Sequence, residues 1–151
     1  MRRQEKAVVE RSEIDAILRR ATVVFISMCD HDRPYVVPMD FGYDGVCLYL
    51  HSAREGRKVE ILRKNPRVCF AAAPDHEIVP GKTACAWTAR YRSVVGEGVA
   101  RFCESAEEKR RGLDALMSRY AKGPFDYPDA ALARTAVIKV EIMELSGKQS
   151  A

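Results

Sequence analysis

The chain has 151 residues, 47% apolar and 30% charged, a globular composition whose length suits one domain over residues 1–151 with a core of its own. Lys and Arg exceed Asp and Glu by only 25 to 21, for a formal charge of +4, and they are spread from end to end without aromatic interleaving, so a nucleic-acid platform is not expected. No apolar run approaches the ~20 residues of a bilayer span, and the start Met1-Arg-Arg-Gln-Glu-Lys6 lacks the apolar core of a secretory signal, so the expectation is a soluble cytoplasmic protein with no membrane contact.

In chain order, Ser12-Glu-Ile-Asp15 has the form of a capping box with Asp in place of Glu. It predicts a short helix ending near Arg20, with Ile14, Ile17 and Leu18 on one face. Thr22 to Met28 is β-branched and aromatic, Asp30-His-Asp-Arg-Pro34 is turn chemistry, and Tyr35 to Phe41 is a second strand, which together predict a hairpin. Gly42-Tyr-Asp-Gly45 turns the chain into a third strand, Val46 to His51, and Glu55 to Lys64 forms a helix stopped by Asn65-Pro66. Arg67 to Ala73 reads as a strand, and Pro74 to Ala84, with two prolines and a glycine, as a loop. Tyr91 to Phe102 is a long strand whose Gly96 and Gly98 suit a sharp bend or the close approach of another backbone. Ser105-Ala-Glu-Glu108 caps a helix with Leu113, Leu116, Met117 and Tyr120 on one face, and Thr135 to Leu145 is the last strand.

About six antiparallel strands and three helices result. Helices inserted between short strands, rather than alternating with them, predict a mainly β fold: a closed or split β-barrel, not a doubly wound sheet. The five cysteines, at 29, 47, 69, 85 and 103, contain no C-x-x-C pair and offer neither a zinc site nor a disulfide framework. Cys47 and Cys69, among strand residues, are expected to be buried thiols.

The stretch Leu48-Tyr-Leu-His-Ser-Ala-Arg-Glu-Gly-Arg-Lys-Val59 carries the chemistry. An apolar strand breaks into hydroxyl, glycine and cations just before a helix begins. Ser52 can donate a hydrogen bond, Ala53 to Gly56 can offer backbone amides, and Arg57 and Lys58 sit at the positive end of the helix dipole, a combination suited to a phosphate. A solvated basic corner is the other reading of the same residues.

Five segments resemble, in order and spacing, the flavin-binding split barrels related to pyridoxamine 5′-phosphate oxidase, and within them the nitroimidazole-resistance reductase-like branch. They are Pro34-Tyr-Val-Val-Pro-Met39, Leu48 to Lys58, Asn65-Pro-Arg-Val68, Tyr91-Arg-Ser-Val-Val95 and Ser146-Gly-Lys148. The resemblance implies FMN, with FAD, haem or deazaflavin F420 as alternatives, and a homodimer with flavin sites at the subunit interface.

It also implies that His51, Ser52, Arg57 and Lys58 hold the FMN phosphate and that Val37, Pro38 and Met39 lie against the isoalloxazine. Met39 as a core residue is the other reading of that position. Tyr91, Arg92 and Ser93 would contact the pyrimidine edge of the flavin, and Ser146 to Lys148 would reach towards the partner's flavin or remain a solvated tail. His51 doubles as a candidate catalytic proton donor, since imidazole exchanges protons near neutrality. The ending Glu144-Leu-Ser-Gly-Lys-Gln-Ser-Ala151 lacks the arginine-rich substrate segment of the pyridoxamine phosphate oxidases, so their activity is not expected. The implied activity is transfer of electrons to a small organic acceptor such as a nitroaromatic. Its alternatives are a non-catalytic cofactor-binding protein of the same fold and an interaction module without a cofactor.

Overall fold

The computed structural model describes residues 4–150. They open with a turn of 3₁₀ helix, Gln4–Lys6, a two-residue strand β1 (Ala7–Val8) and helix α1 (Arg11–Arg20). The expected capping box at Ser12 does not form: α1 starts one residue before it, with Glu10 at the cap and no side-chain bond there. Asp15 instead accepts from Arg11 Nε at 2.8 Å, one turn back in the helix, and from Tyr43 OH at 2.6 Å, because a charge-assisted helix pair and a tertiary bond together outcompete a local cap.

Strand β2 (Val23–Asp30) pairs with β3 (Arg33–Asp40) as the predicted hairpin, His31 supplying the left-handed turn residue at φ 58°. Val24, Ile26 and Met28 of β2 and Val37 and Met39 of β3 face the core. Next come β4 (Gly42–Tyr43), β5 (Cys47–Ala53) and helix α2 (Arg57–Lys64), whose Val59, Ile61 and Leu62 are buried.

Beyond α2 the structure departs from the expected loop at Pro74 to Ala84. Strand β6 (Arg67–Val79) runs straight through Pro74, because a bulge between Ala72 and Asp75 takes the residue that has no N–H to give out of the ladder. Within β6, Val68, Phe70 and Ala72 point inward, so Cys69 is exposed rather than a buried thiol, whereas Cys47 is buried. Strand β7 (Thr88–Phe102) begins three residues earlier than expected. Helix α3 (Ala106–Met117) does carry the capping box between Ser105 and Glu108. It ends at Met117, which leaves Tyr120 55% exposed instead of on its buried face. A further short helix, α4 (Asp129–Arg134), precedes β8 (Thr135–Ser150), which continues five residues past Leu145.

The eight strands form one antiparallel sheet in the order β3-β2-β6-β7-β8-β5-β4, with β1 added to β8. The sheet curls until β3 meets β5, giving a split β-barrel. Its interior is filled by Val24, Ile26, Phe41, Leu48, Leu50, Phe70, Val94, Ile138 and Val140, all at most 1% exposed. The extra strands relative to sequence expectation are β1 and β4, two-residue pairings too short to show a period.

Helix α3 closes the barrel by direct backbone contact at Gly42. A Cβ there would lie 2.5 Å from the Ala115 carbonyl carbon and 2.8 Å from its oxygen. Gly42→Ala is therefore expected to destabilise the fold by about 1–3 kcal/mol, the usual cost of overpacking. A urea denaturation midpoint lowered at unchanged slope is the expected reading; an unchanged midpoint would show that α3 shifts freely.

Candidate functional site

The β5–α2 corner is built by chain geometry. His51, Ser52 and Ala53 pair with Val137, Ala136 and Thr135 at the start of β8, after which the chain leaves the sheet. Gly56 caps α2 at φ 118°, a backbone conformation that L side chains rarely adopt, and its carbonyl accepts from Val59 N at 2.9 Å and Glu60 N at 3.1 Å. The amides of Arg57 and Lys58 begin the helix, where no intrahelical carbonyl can reach them and the dipole is positive. Ser52 Oγ donates to the Ala53 carbonyl at 2.8 Å. Arg57 is exposed and Lys58 half-buried, and among the described residues neither forms an ion pair. The Arg57 guanidinium lies 4.6 Å from the Tyr35 ring centroid, which ties the corner to the start of β3. His51 is exposed on the same strand end.

Along β3, the three residues expected beside a ring system divide between the two faces. Val37 and Met39 point into the core, Met39 only 8% exposed, so what they can offer outward is backbone; Pro38 faces outward. Pro38 stands opposite Phe25, Phe25 opposite Ala71, Ala71 opposite Val95, and Val95 opposite Ser146. This outward row spans four strands from Pro38 to Val95, roughly 14 Å at about 4.8 Å per strand. With Val36 58%, Phe25 53% and Val95 45% exposed, the face is apolar.

Sequence reasoning missed Phe25. Its only signal is phase: an aromatic between the inward Val24 and Ile26 must point out.

Tyr91, Arg92 and Ser93 pair with Ser150, Gln149 and Lys148 at the end of β8, and on the other side Tyr91 faces His76 and Arg92 faces Asp75. An open cleft of about 600 Å³ lies there, lined by Arg20, Asp75, His76, Tyr91, Arg92 and Ser150 among others. The Ser52 partner Ala136 and the Ser93 partner Lys148 lie at opposite ends of β8, separated by roughly 40 Å of strand at about 3.3 Å per residue. One protomer thus brings Ser52, Arg57, Lys58 and the start of β3 together, and leaves Tyr91 to Ser93 apart from them.

A second cleft, of about 470 Å³, lies beside the corner, but its cations serve the fold. Lys109 Nζ donates to the Leu132 and Thr135 carbonyls, Arg54 to the Ala133 carbonyl, and Arg63 lies over Phe102. Among the described residues no cluster of three His, Cys, Asp or Glu is placed to hold a metal, and no helix is long and apolar enough to cross a membrane.

The family description "Pyridoxamine 5′-phosphate oxidase" matches residues 10–149. Among solved structures, a proposed 5-nitroimidazole antibiotic resistance protein from Bacteroides thetaiotaomicron is 37% identical over 95% of this chain and 86% of its own, with a TM-score of 0.86. The flavocytochrome Anf3 from Azotobacter vinelandii (TM-score 0.88, 21% identity, 100% of this chain and 72% of its own) shares the fold. So does the FAD and heme binding protein from Mycobacterium smegmatis (TM-score 0.87, 22% identity, 96% and 73%). A curated relative from Rhizobium meliloti (strain 1021), the uncharacterized protein RA0666, is 30% identical over 66 residues, 44% of this chain; the match spans 43% of that relative's length.

Proposed function

Because the chain belongs to the pyridoxamine 5′-phosphate oxidase family, we propose that it is an FMN-dependent oxidoreductase, working as a homodimer in the cytoplasm, that passes electrons from a reduced nicotinamide or another donor to a small nitroaromatic-type acceptor. The observation that carries this reading is the β5–α2 corner, where a hydroxyl, two helix-terminal amides, a guanidinium and an ammonium stand together without an internal ion pair. That donor set fits a phosphate of up to two negative charges: guanidinium offers paired donors and ammonium a compact charge. When bound, the flavin supplies the redox chemistry, and the protein's share is binding, orientation and electrostatics.

In this reading Ser52, Arg57 and Lys58 hold the phosphate. The backbone of Val37, Pro38 and Met39 offers hydrogen bonds to the polar ring edge, while Pro38 and Phe25 give it an apolar surface. His51, exposed beside the phosphate corner, exchanges a proton with the reacting substrate. Tyr91, Arg92 and Ser93, at the other end of β8, serve the cofactor of a second copy seated on the apolar outward row, and a donor among them favours reduced, anionic flavin. Two equivalent sites follow from the two-fold axis.

The purified protein is expected to carry one FMN per protomer, to bleach anaerobically with NADH and to recover its colour with 4-nitrobenzoate. A colourless protein that ignores added FMN, or a Soret band in place of the flavin spectrum, would overturn the proposal. His51→Asn is expected to keep the flavin and slow turnover on the order of 10²-fold, the scale of general acid catalysis. Loss of flavin in that variant would assign His51 to cofactor binding instead, and normal turnover with full occupancy would remove it from the site.

A further inference from the structure

Two lysines remote in sequence converge on one ring. Strand β1 adds the N-terminal segment to the end of β8, Ala7 opposite Lys148, and this brings Lys6 to the same place. Lys6 Nζ lies 5.9 Å and Lys148 Nζ 5.7 Å from the centroid of the Tyr91 ring, and both side chains are half-buried. Lys6 Nζ also donates to Ser150 Oγ at 2.9 Å. Tyr91 and Ser150 in turn line the 600 Å³ cleft. The acids of that cleft are already engaged, Asp75 with Arg20 at 2.5 Å and Glu77 with Arg90 at 3.7 Å. Among the described residues, neither Lys6 nor Lys148 forms an ion pair. Each is a charge partly withdrawn from water beside the same ring, and an oxyanion bound at that ring restores the hydration each has lost.

We propose that Lys6 and Lys148, positioned by Tyr91 and Ser150, form a binding site for an oxyanion: the carboxylate or phosphate of a small molecule that exchanges electrons with the flavin. The placement rests on the flavin reading above, in which Tyr91 to Ser93 contact the partner's cofactor; the anion site itself rests on the lysine geometry. A charged acceptor is then held by its anionic group, and a neutral acceptor of the same shape gains nothing from the pair. Specificity would come from charge beside Tyr91 and Ser150, which line the cleft, rather than from the flavin pocket.

The test compares wild type with Lys6→Gln, Lys148→Gln and the double variant, using 4-nitrobenzoate, its uncharged counterpart 4-nitrobenzamide, and NADH. The double variant is expected to raise KM for 4-nitrobenzoate about tenfold, the effect of losing charge-assisted bonds to one carboxylate, with KM for 4-nitrobenzamide and melting temperature unchanged; flavin occupancy is measured in each variant and rates are taken per bound flavin, because Lys148 lies beside Tyr91. Lys148→Arg, which keeps the charge, should restore most of the loss. A raised KM for NADH instead would assign the site to the donor's phosphates and uphold the oxyanion site. Calorimetric titration with 4-nitrobenzoate separates this inference from the flavin reading: lysine-dependent binding to a protein without turnover upholds the site even where the oxidoreductase proposal fails. Unchanged KM values for both anions together with lysine-independent calorimetric binding would overturn it.

Discussion

Replacing Arg57 and Lys58 together with alanine is expected to weaken FMN binding by about 2 to 4 kcal/mol, roughly 30- to 1,000-fold, because each charge-assisted bond to phosphate is worth more than a neutral one. Both side chains leave the start of α2 towards solvent or its rim, while the buried Val59, Ile61 and Leu62 that anchor the helix are untouched, so the fold should persist. Arg57 would also lose its stacking on Tyr35. The measurement is a fluorescence titration of apoprotein with FMN and, in parallel, with riboflavin, which lacks the phosphate. FMN affinity should fall to the riboflavin level while riboflavin affinity stays. Equal losses for the two ligands would mean that the cations support the ring pocket rather than the phosphate, and no loss would return the corner to a solvated basic surface.

The second large effect is expected at the outward apolar row. Phe25→Asp combined with Val95→Asp places two carboxylates where the proposed second copy packs, and buried charges without partners cost several kcal/mol. The dimer dissociation constant should rise at least ~100-fold, with sedimentation at micromolar concentration turning to a 17.0 kDa monomer. Flavin should be lost with it, since in the proposed dimer Tyr91 to Ser93, which stand at the far end of β8 from the β5–α2 corner of their own protomer, reach the cofactor only from the partner. Because Phe25 and Val95 are 53% and 45% exposed in the protomer, the barrel itself should tolerate the change. A variant that remains dimeric with full flavin would place the interface elsewhere.

Where sequence and structure agree, the signal is local and covalently near. The β-branched and aromatic run Thr22 to Met28 before its turn, the capping box of Ser105 and Glu108, and the break of Leu50-His51-Ser52 into Gly56-Arg57-Lys58 each depend on residues close to one another in the chain. They were legible because backbone periodicity and capping are short-range chemistry. The disagreements have a common origin in distant partners. The Ser12 cap lost Asp15 to Tyr43, and the loop expected at Pro74 became strand because β7 holds both sides of the bulge.

The sequence by itself determined the barrel class, the hairpin, the main strands in chain order and the strand-to-helix corner at His51 to Lys58, since the elements are encoded in contiguous runs. Only the tertiary structure decided which face those runs present and what meets across the sheet. It turned Met39 inward and Phe25 outward, set Arg57 against Tyr35, separated Tyr91 to Ser93 from the corner by the length of β8, and drew Lys6 to Lys148. The physical reason is register. A slip of one residue between paired strands exchanges every inward side chain for an outward one, and register is set by the packing of the whole sheet and its bulges, not by any one strand.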